Sequence, residues 1–311
     1  MIIHPFNSLP QLNEKFREIC TLSSVLQLGQ GTARGEIILE QVGMVACMQI
    51  SCSVPIAICG DRNMEKLCIG IELSHLKDCW RHTASGTELD RPALIGCNWR
   101  ATELDIHLAA GTRMGVMMMP RNALRRWLKD RQLEDVLEIL RTTDTAIGPT
   151  KVTQTLRHHL REIFRGRRLG TPHEDQLLLM ELVDVLLEAP DKRKPQPRKL
   201  RYEAASKLLH LQAANPERSF DVIEVPQLVH SSRASLNNGC RELFGMSPAE
   251  VLRTVRLQHV QHLLVNPKLR ADMNLTTISQ VAAHYGFRST GHFSRNYNAL
   301  FKQMPSEDWV H

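Results

Sequence analysis

The stretch LFGMSPAE, residues 243–250, returns as LFKQMPSE at residues 300–307. At a constant offset of 57, Leu243 pairs with Leu300, Phe244 with Phe301, Pro248 with Pro305 and Glu250 with Glu307. Leu236 and Phe293 fall into the same register. Further back the offset drops to 53 and pairs Val225, Leu228 and Val229 with Ile278, Val281 and Ala282. Self-similarity of this kind marks one supersecondary unit used twice, and the change of offset puts about four extra residues into the second copy's turn.

Each copy reads as a short helix, a break and a second helix. In the first, Val225, Leu228 and Val229 make an i, i+3, i+4 apolar face, Ser231 and Ser232 interrupt it, and Leu236, Cys240, Leu243 and Phe244 define one face of the next helix. In the second, Thr277 and Gln280 have the spacing of a capping box, Gly286 supplies the turn, and Phe287 can plug the angle between the helices. Ser289 then caps a helix carrying Phe293, Tyr297, Leu300 and Phe301. Between the copies, Ser247-Pro248-Ala249-Glu250 is a strong start for a long helix ending at Asn266-Pro267. Two helix-turn-helix units, about residues 222–244 and 276–301, joined by one long helix form an all-α domain over 200–311.

Charge gives this domain a partner. The chain of 311 residues carries a formal charge of +6, but residues 1–189 sum to −1 and residues 190–311 to +7. A basic helical module calls for an anion. The second helix of such a unit fits the major groove, where Arg grips guanine and Asn grips adenine with paired hydrogen bonds. With the apolar faces committed to the core, Arg233, Ser235, Asn237, Asn238 and Arg241 point outward on the first helix, beside Ala234. On the second, Arg288, Ser289, Thr290, His292, Arg295 and Asn296 do so, beside Gly291. These eleven polar residues are the candidate DNA contacts.

The pattern Ile278-x-x-Val281-Ala282-x-x-x-Gly286-Phe287, followed by Phe293-Ser294-Arg295-x-Tyr297-x-x-x-Phe301 and Pro305-Ser306, resembles the signature of the AraC/XylS family of bacterial transcription regulators. The resemblance covers roughly residues 200–311. It implies a domain that binds double-stranded DNA through two recognition helices in successive major-groove segments, about one helical turn apart. It also implies an activator as the commoner mode, often through RNA polymerase, with a cupin-like effector domain ahead of the DNA-binding part. Three departures stand out. Asn237-Asn238-Gly239 are poor helix formers, Gly costing about 1 kcal/mol relative to Ala. Ala234 stands where the family often has a long polar or basic side chain. Trp309 is followed by Val310-His311 rather than by Arg, which removes a terminal phosphate contact.

Residues 190–199, PDKRKPQPRK, hold three Pro and five basic residues and no apolar side chain, so they read as an extended, solvated linker. Before them, short apolar segments between 36 and 119, separated by turn residues, suggest strands of a small β-barrel or sandwich. Helical patterns follow from Pro120 to Leu140, from Val152 to Phe164, and over 174–188, where Leu177, Met180, Leu182, Val185 and Leu187 leave hardly any polar side. A helix that is apolar all round needs cover on all sides, and homodimerisation through residues 150–188 would provide it. The fold class expected is thus α+β: an effector-sensing and dimerisation domain over 1–189, the linker, and the DNA-binding domain over 200–311.

Several other readings are constrained by what the chain contains. Seven of eight Cys lie within the first 97 residues but form no C-x-x-C pair. His75, Cys79 and His82 share a face if their segment is helical, which keeps open a thiol- or metal-responsive version of the regulator, although reduced Cys is more often a buried apolar residue. Met117–Met119 read as core, and His158-His159 as part of a solvated helix face. No phosphate loop, nucleophile elbow or zinc-protease motif is present, so no enzyme and no cofactor are expected. No apolar run reaches the length of a membrane span and the start lacks the pattern of a secretory signal, so the chain reads as cytoplasmic. The remaining rival is a helical adaptor that binds protein rather than DNA.

Overall fold

The computed structural model describes residues 1–16, 22–74, 82–84, 87–89, 92–168, 170–171, 173–195 and 199–310. In chain order the elements are β1 (Ile2–Phe6), α1 (Leu9–Phe16), β2 (Leu22–Gln27), β3 (Gly35–Val42), β4 (Val45–Cys52), β5 (Ile56–Asp61), β6 (Lys66–Glu72), β7 (His82–Ala84), β8 (Thr87–Leu89), β9 (Leu94–Ile95), β10 (Glu103–Leu108) and β11 (Arg113–Pro120). Then follow α2 (Arg121–Asp130), α3 (Glu134–Thr142), β12 (Thr145–Ile147), α4 (Thr150–Phe164), α5 (Glu174–Glu188), β13 (Asp191–Arg193) and α6 (Leu200–Ala214). The last are α7 (Val225–Leu228), α8 (Arg233–Phe244), α9 (Pro248–Leu264), α10 (Pro267–Asp272), α11 (Ile278–His284) and α12 (Thr290–Phe301). The class is α+β. The chain divides into two compact units: residues 1–5, 35–52 and 61–197 in one, and 6–34, 53–60 and 198–311 in the other.

The first unit is built on an antiparallel sheet ordered β1-β3-β4-β11-β6-β9-β12-β13. Alternation along the strands puts Ile38, Val45, Cys47, Ile69, Ile71, Met117 and Met119 into one core cluster with Leu124 and Trp127 of α2, Leu156 and Leu160 of α4, and Leu182 and Leu186 of α5. Each such side chain contributes about 1.5–3 kcal/mol when fully buried. Where the sequence reading expects a small barrel or sandwich, the described strands of this sheet run from edge β1 to edge β13 without closing. Helices cover its face, so a second layer does the work that closure does in a barrel.

Other expectations for this unit meet specific packing. α5 is not apolar all round for want of intramolecular cover: Leu178, Leu179, Leu182, Val183, Val185 and Leu186 are buried within the unit, and Leu177, Met180 and Leu187 remain exposed. His159 belongs to no solvated face, because its Nδ1 lies 2.9 Å from Glu181 Oε2 and the residue is 5% exposed. The opening of the 190–199 segment takes the form of an edge strand, with Thr145 opposite Arg193 and Ile147 opposite Asp191. His75 and Cys79 lie outside the described residues, and His82 opens a strand rather than continuing a helix. Burial pushes the thiols of Cys47 and Cys97 up to about 12, which leaves them poorly suited to thiolate chemistry. Among the described residues no group of His, Cys, Asp and Glu could hold a metal ion, and no helix is long and apolar enough to cross a membrane.

In the second unit the repeat becomes two helical bundles sharing α9. Val251, Leu252 and Val255 pack with α6, α7 and α8. Leu257, Val260, Leu263 and Leu264 pack with α11 and α12. The polar face of α9 is buried too, which amphipathic reasoning would send to solvent. Gln258 Nε2 donates to Val25 O and its Oε1 accepts from Gln27 N, both at 3.0 Å. Gln261 Nε2 donates to Asn7 O at 3.0 Å, and Ser8 Oγ lies 2.7 Å from His262 Nδ1. Residues 6–34, which the sequence reading assigns to the first module, therefore satisfy the polar groups of the long helix.

Candidate nucleic-acid interface

The two helix pairs keep the register of the sequence repeat. α8 and α12 are both 12 residues long and start 57 residues apart, while α7 and α11 start 53 apart. Each second helix begins with a serine cap: Ser232 Oγ accepts from Ser235 N at 3.1 Å, and Ser289 Oγ from His292 N at 3.4 Å. Each ends on a left-handed residue, Gly245 at φ 70° and Lys302 at φ 60°. The repeated glutamates explain the rest of the recurring octapeptide. Glu250 Oε2 accepts from Ser247 N at 2.7 Å, completing the capping box of α9, and Glu307 accepts from Met304 N at the equivalent place.

These caps fix the rotation of each helix and hence what it presents. On α8, Leu236, Gly239, Cys240, Leu243 and Phe244 are buried; Arg233, Asn238 and Arg241 are exposed, and Ser235 and Asn237 are half-buried. On α12, Phe293, Tyr297 and Phe301 are buried; Thr290, His292 and Arg295 are exposed and Asn296 is half-buried. Arg288 and Ser289, just ahead of α12, are exposed, although the Ser289 hydroxyl oxygen is already engaged by the cap. Arg295 is held before any partner arrives: its Nε donates to Gly291 O at 3.3 Å and its Nη2 lies 3.2 Å from His292 Nδ1.

Sequence reasoning missed three parts of this surface. Asn298, one turn beyond Arg295, is exposed on the same face and could have been found by extending the helical register. Glu242 is exposed on α8, and Arg201 Nη2 and Tyr202 Oη donate to its Oε2 at 2.9 and 3.1 Å; the Arg201 hydrogen bond holds its carboxyl below the usual range. Arg256 of α9 reaches the second turn, where Nη1 donates to Tyr285 O at 3.3 Å and to Ser219 Oγ at 3.2 Å, with its guanidinium 5.0 Å from the Phe287 ring centroid. It braces the turn at Gly286, which has φ 78°. Local pattern carried no signal for either contact. At the closing end, Arg270 stacks 3.8 Å from the centroid of Trp309 and Tyr297 donates to the buried Asp308 carboxylate.

Residues 227–308 match the family described as helix-turn-helix domain. The second activator of the XylDLEGF operon from Pseudomonas putida is 30% identical over 93 residues, which cover 30% of this chain and 57% of that protein. The C-terminal domain belongs to the AraC/XylS family. The match of this domain is to a transcriptional activator. The chain thus spans little more than half the length of that relative. Among solved structures, a probable AraC family transcriptional regulator from Rhodopseudomonas palustris CGA009 is 28% identical, with 34% of this chain and 94% of that chain covered and a TM-score of 0.31. The AraC-like transcriptional activator CuxR is 13% identical over 91% of this chain and 100% of that chain, with a TM-score of 0.41. The assignment of the AraC/XylS domain rests on its sequence match and its two capped helix pairs.

Proposed function

We propose that this protein is a sequence-specific DNA-binding transcription regulator acting in the cytoplasm, with α8 and α12 as its recognition helices. The observation that carries the reading is the equivalence of α8 and α12: the same caps, length and buried face, on a module of charge +7, each presenting Arg and Asn outward. Arg288, His292, Arg295 and Asn296 read bases on the second helix, with Asn238 and Arg241 on the first. Ser235, Asn237, Thr290 and Ser289 line the same approach, and Arg233 stands at the mouth of α8. Activation through RNA polymerase is the mode that the similarity to an operon activator supports.

The first unit supplies control, by an effector or by pairing of subunits. The exposed stripe Leu177, Met180 and Leu187 on α5, at helical spacing, supports homodimerisation through residues 150–188. Footprinting on DNA upstream of the protein's own gene, over a salt titration, tests the DNA reading. A protein making roughly 6–10 phosphate contacts loses about 10³- to 10⁵-fold in affinity between 50 and 200 mM salt. A flat salt dependence without a footprint would leave a protein-binding adaptor as the better reading. Sedimentation at micromolar concentration tests the dimer, which a monomeric mass would exclude.

A further inference from the structure

Arg256 stands on α9 where the two cores of the second unit meet. Val255, one residue before it, belongs to the cluster shared with α6, α7 and α8, and Leu257, one residue after it, to the cluster shared with α11 and α12. Its guanidinium touches both sides. Nη1 donates to Ser219 Oγ at 3.2 Å and to Tyr285 O at 3.3 Å, and Cζ lies 5.0 Å from the Phe287 ring centroid. Ser219 precedes Phe220, which is buried in the first core, while Tyr285 and Phe287 pack in the second. A second polar link runs beside the first: His284 Nε2 lies 3.1 Å from Glu217 Oε1. The turn at Gly286 comes so near that a Cβ there would stand 3.2 Å from Ser219 Cβ and 3.1 Å from Arg256 Nη1.

Stability alone does not call for an arginine at this place. Burial, and after it the neighbouring Arg253 charge, lowers its pKa, and its buried Nε has no hydrogen-bond partner among the described residues. What the arginine adds is geometry. Apolar packing onto a shared helix is non-directional and resists rotation of one bundle against the other only weakly. A planar fork fixed by two acceptors and an aromatic face admits one arrangement.

DNA makes that arrangement matter. Two recognition helices on one duplex must meet the groove at both places. One added base pair moves the second place by about 3.4 Å along the axis and turns it by roughly 35°. A loosely joined pair of bundles follows such a change, whereas a locked pair loses one set of contacts.

We propose that Arg256, anchored on Ser219 and flanked by the Glu217–His284 pair, is a positioning residue: it locks α12 against α8 and so makes the protein selective for the number of base pairs between its two major-groove segments. The proposal rests on the reading of α8 and α12 as recognition helices and goes beyond it in naming what sets their separation.

The test measures the affinity of the full-length protein for duplexes built on its footprinted operator, with the stretch between the two contacted segments shortened or lengthened by one base pair. Wild type is expected to lose at least tenfold on either change. Arg256→Met keeps the apolar stem and should lose less than threefold on the same changes. Glu217→Ala/Ser219→Ala is the second variant, because both side chains are exposed and the melting temperature should stay at the wild-type value. Its loss on respacing should fall to fivefold or less. A merely structural role would weaken all three duplexes by the same factor and leave their ratios alone. Wild-type tolerance of respacing, or an unchanged ratio in either folded variant, would overturn the proposal with operator binding intact. Absence of any wild-type footprint would instead remove the reading of α8 and α12, and the proposal with it.

Discussion

Gly239 in α8 lies so close to the start of α6 that a Cβ built on it would stand 2.0 Å from the carbonyl oxygen of Arg201. The weak helix-forming run Asn237-Asn238-Gly239 therefore has a packing reason: only a residue without a side chain lets α6 and α8 approach this closely. Gly239→Ala should gain about 1 kcal/mol in helix propensity and lose up to about 3 kcal/mol to the clash, for a net destabilisation of about 1–2 kcal/mol. Urea denaturation of the purified protein measures it; a stabilised variant would mean that α6 can back away freely.

Arg295 and His292 form a second informative pair. If Arg295 reads a base, Arg295→Ala should cost about 1–3 kcal/mol of specific affinity and relax the preference at one position of the site. Arg288→Ala should behave alike if it reads a base, or weaken all sequences evenly if it meets phosphate. His292→Ala removes the contact that holds Arg295 and should cost less than Arg295→Ala. Footprint titrations compare the three, and unchanged footprints in both arginine variants would show that α12 is not the reading helix.

Gln258→Leu tests the clasp between α9 and the chain near residues 25–27. The variant leaves Val25 O and Gln27 N without their partners, and an unpaired buried polar group costs about 1–3 kcal/mol. A drop in melting temperature is expected. Gln258→Glu, which turns an acceptor oxygen toward Val25 O and buries a charge, should lower it at least as far.

Acid should destabilise the first unit through His107. Burial pushes its pKa down to about 4 from an unfolded value of 6.5. The unfolded state then binds the proton more readily, so this contribution is complete above about pH 6.5 and is lost as pH falls from there toward 4. His159 runs the other way: burial lowers its pKa, but hydrogen bonds and charges from Glu181 and Glu174 raise it overall, so its contribution is complete at low pH and fades as pH rises through the elevated value. Melting temperatures of wild type and His107→Asn between pH 4 and 8 separate the two. The variant should show the shallower acid loss.

The C-terminal helices were legible because their information is local and written twice. Ser247, Thr277 and Ser289 announce helix starts, and the offsets of 57 and 53 recur as the spacings between helices. The outward residues Arg233, Asn238, Arg241, His292 and Arg295 followed from the apolar period, since a helix with one face buried has no freedom about where its other residues point. The same reasoning misjudged His159 and left the shape of the sheet open between barrel and sandwich, because a strand pattern records which face is buried and not what buries it.

Sequence alone determined the repeat, the caps, the basic second module and the residues left outward on its helices, all of which depend on neighbours a few positions apart. Only the tertiary structure decided that Gly239 admits Arg201, that Arg256 braces the turn before α12, and that residues 6–34 belong with α9. Each of these depends on groups brought together from distant parts of the chain, where buried backbone and side-chain polar atoms must find partners that no local pattern specifies.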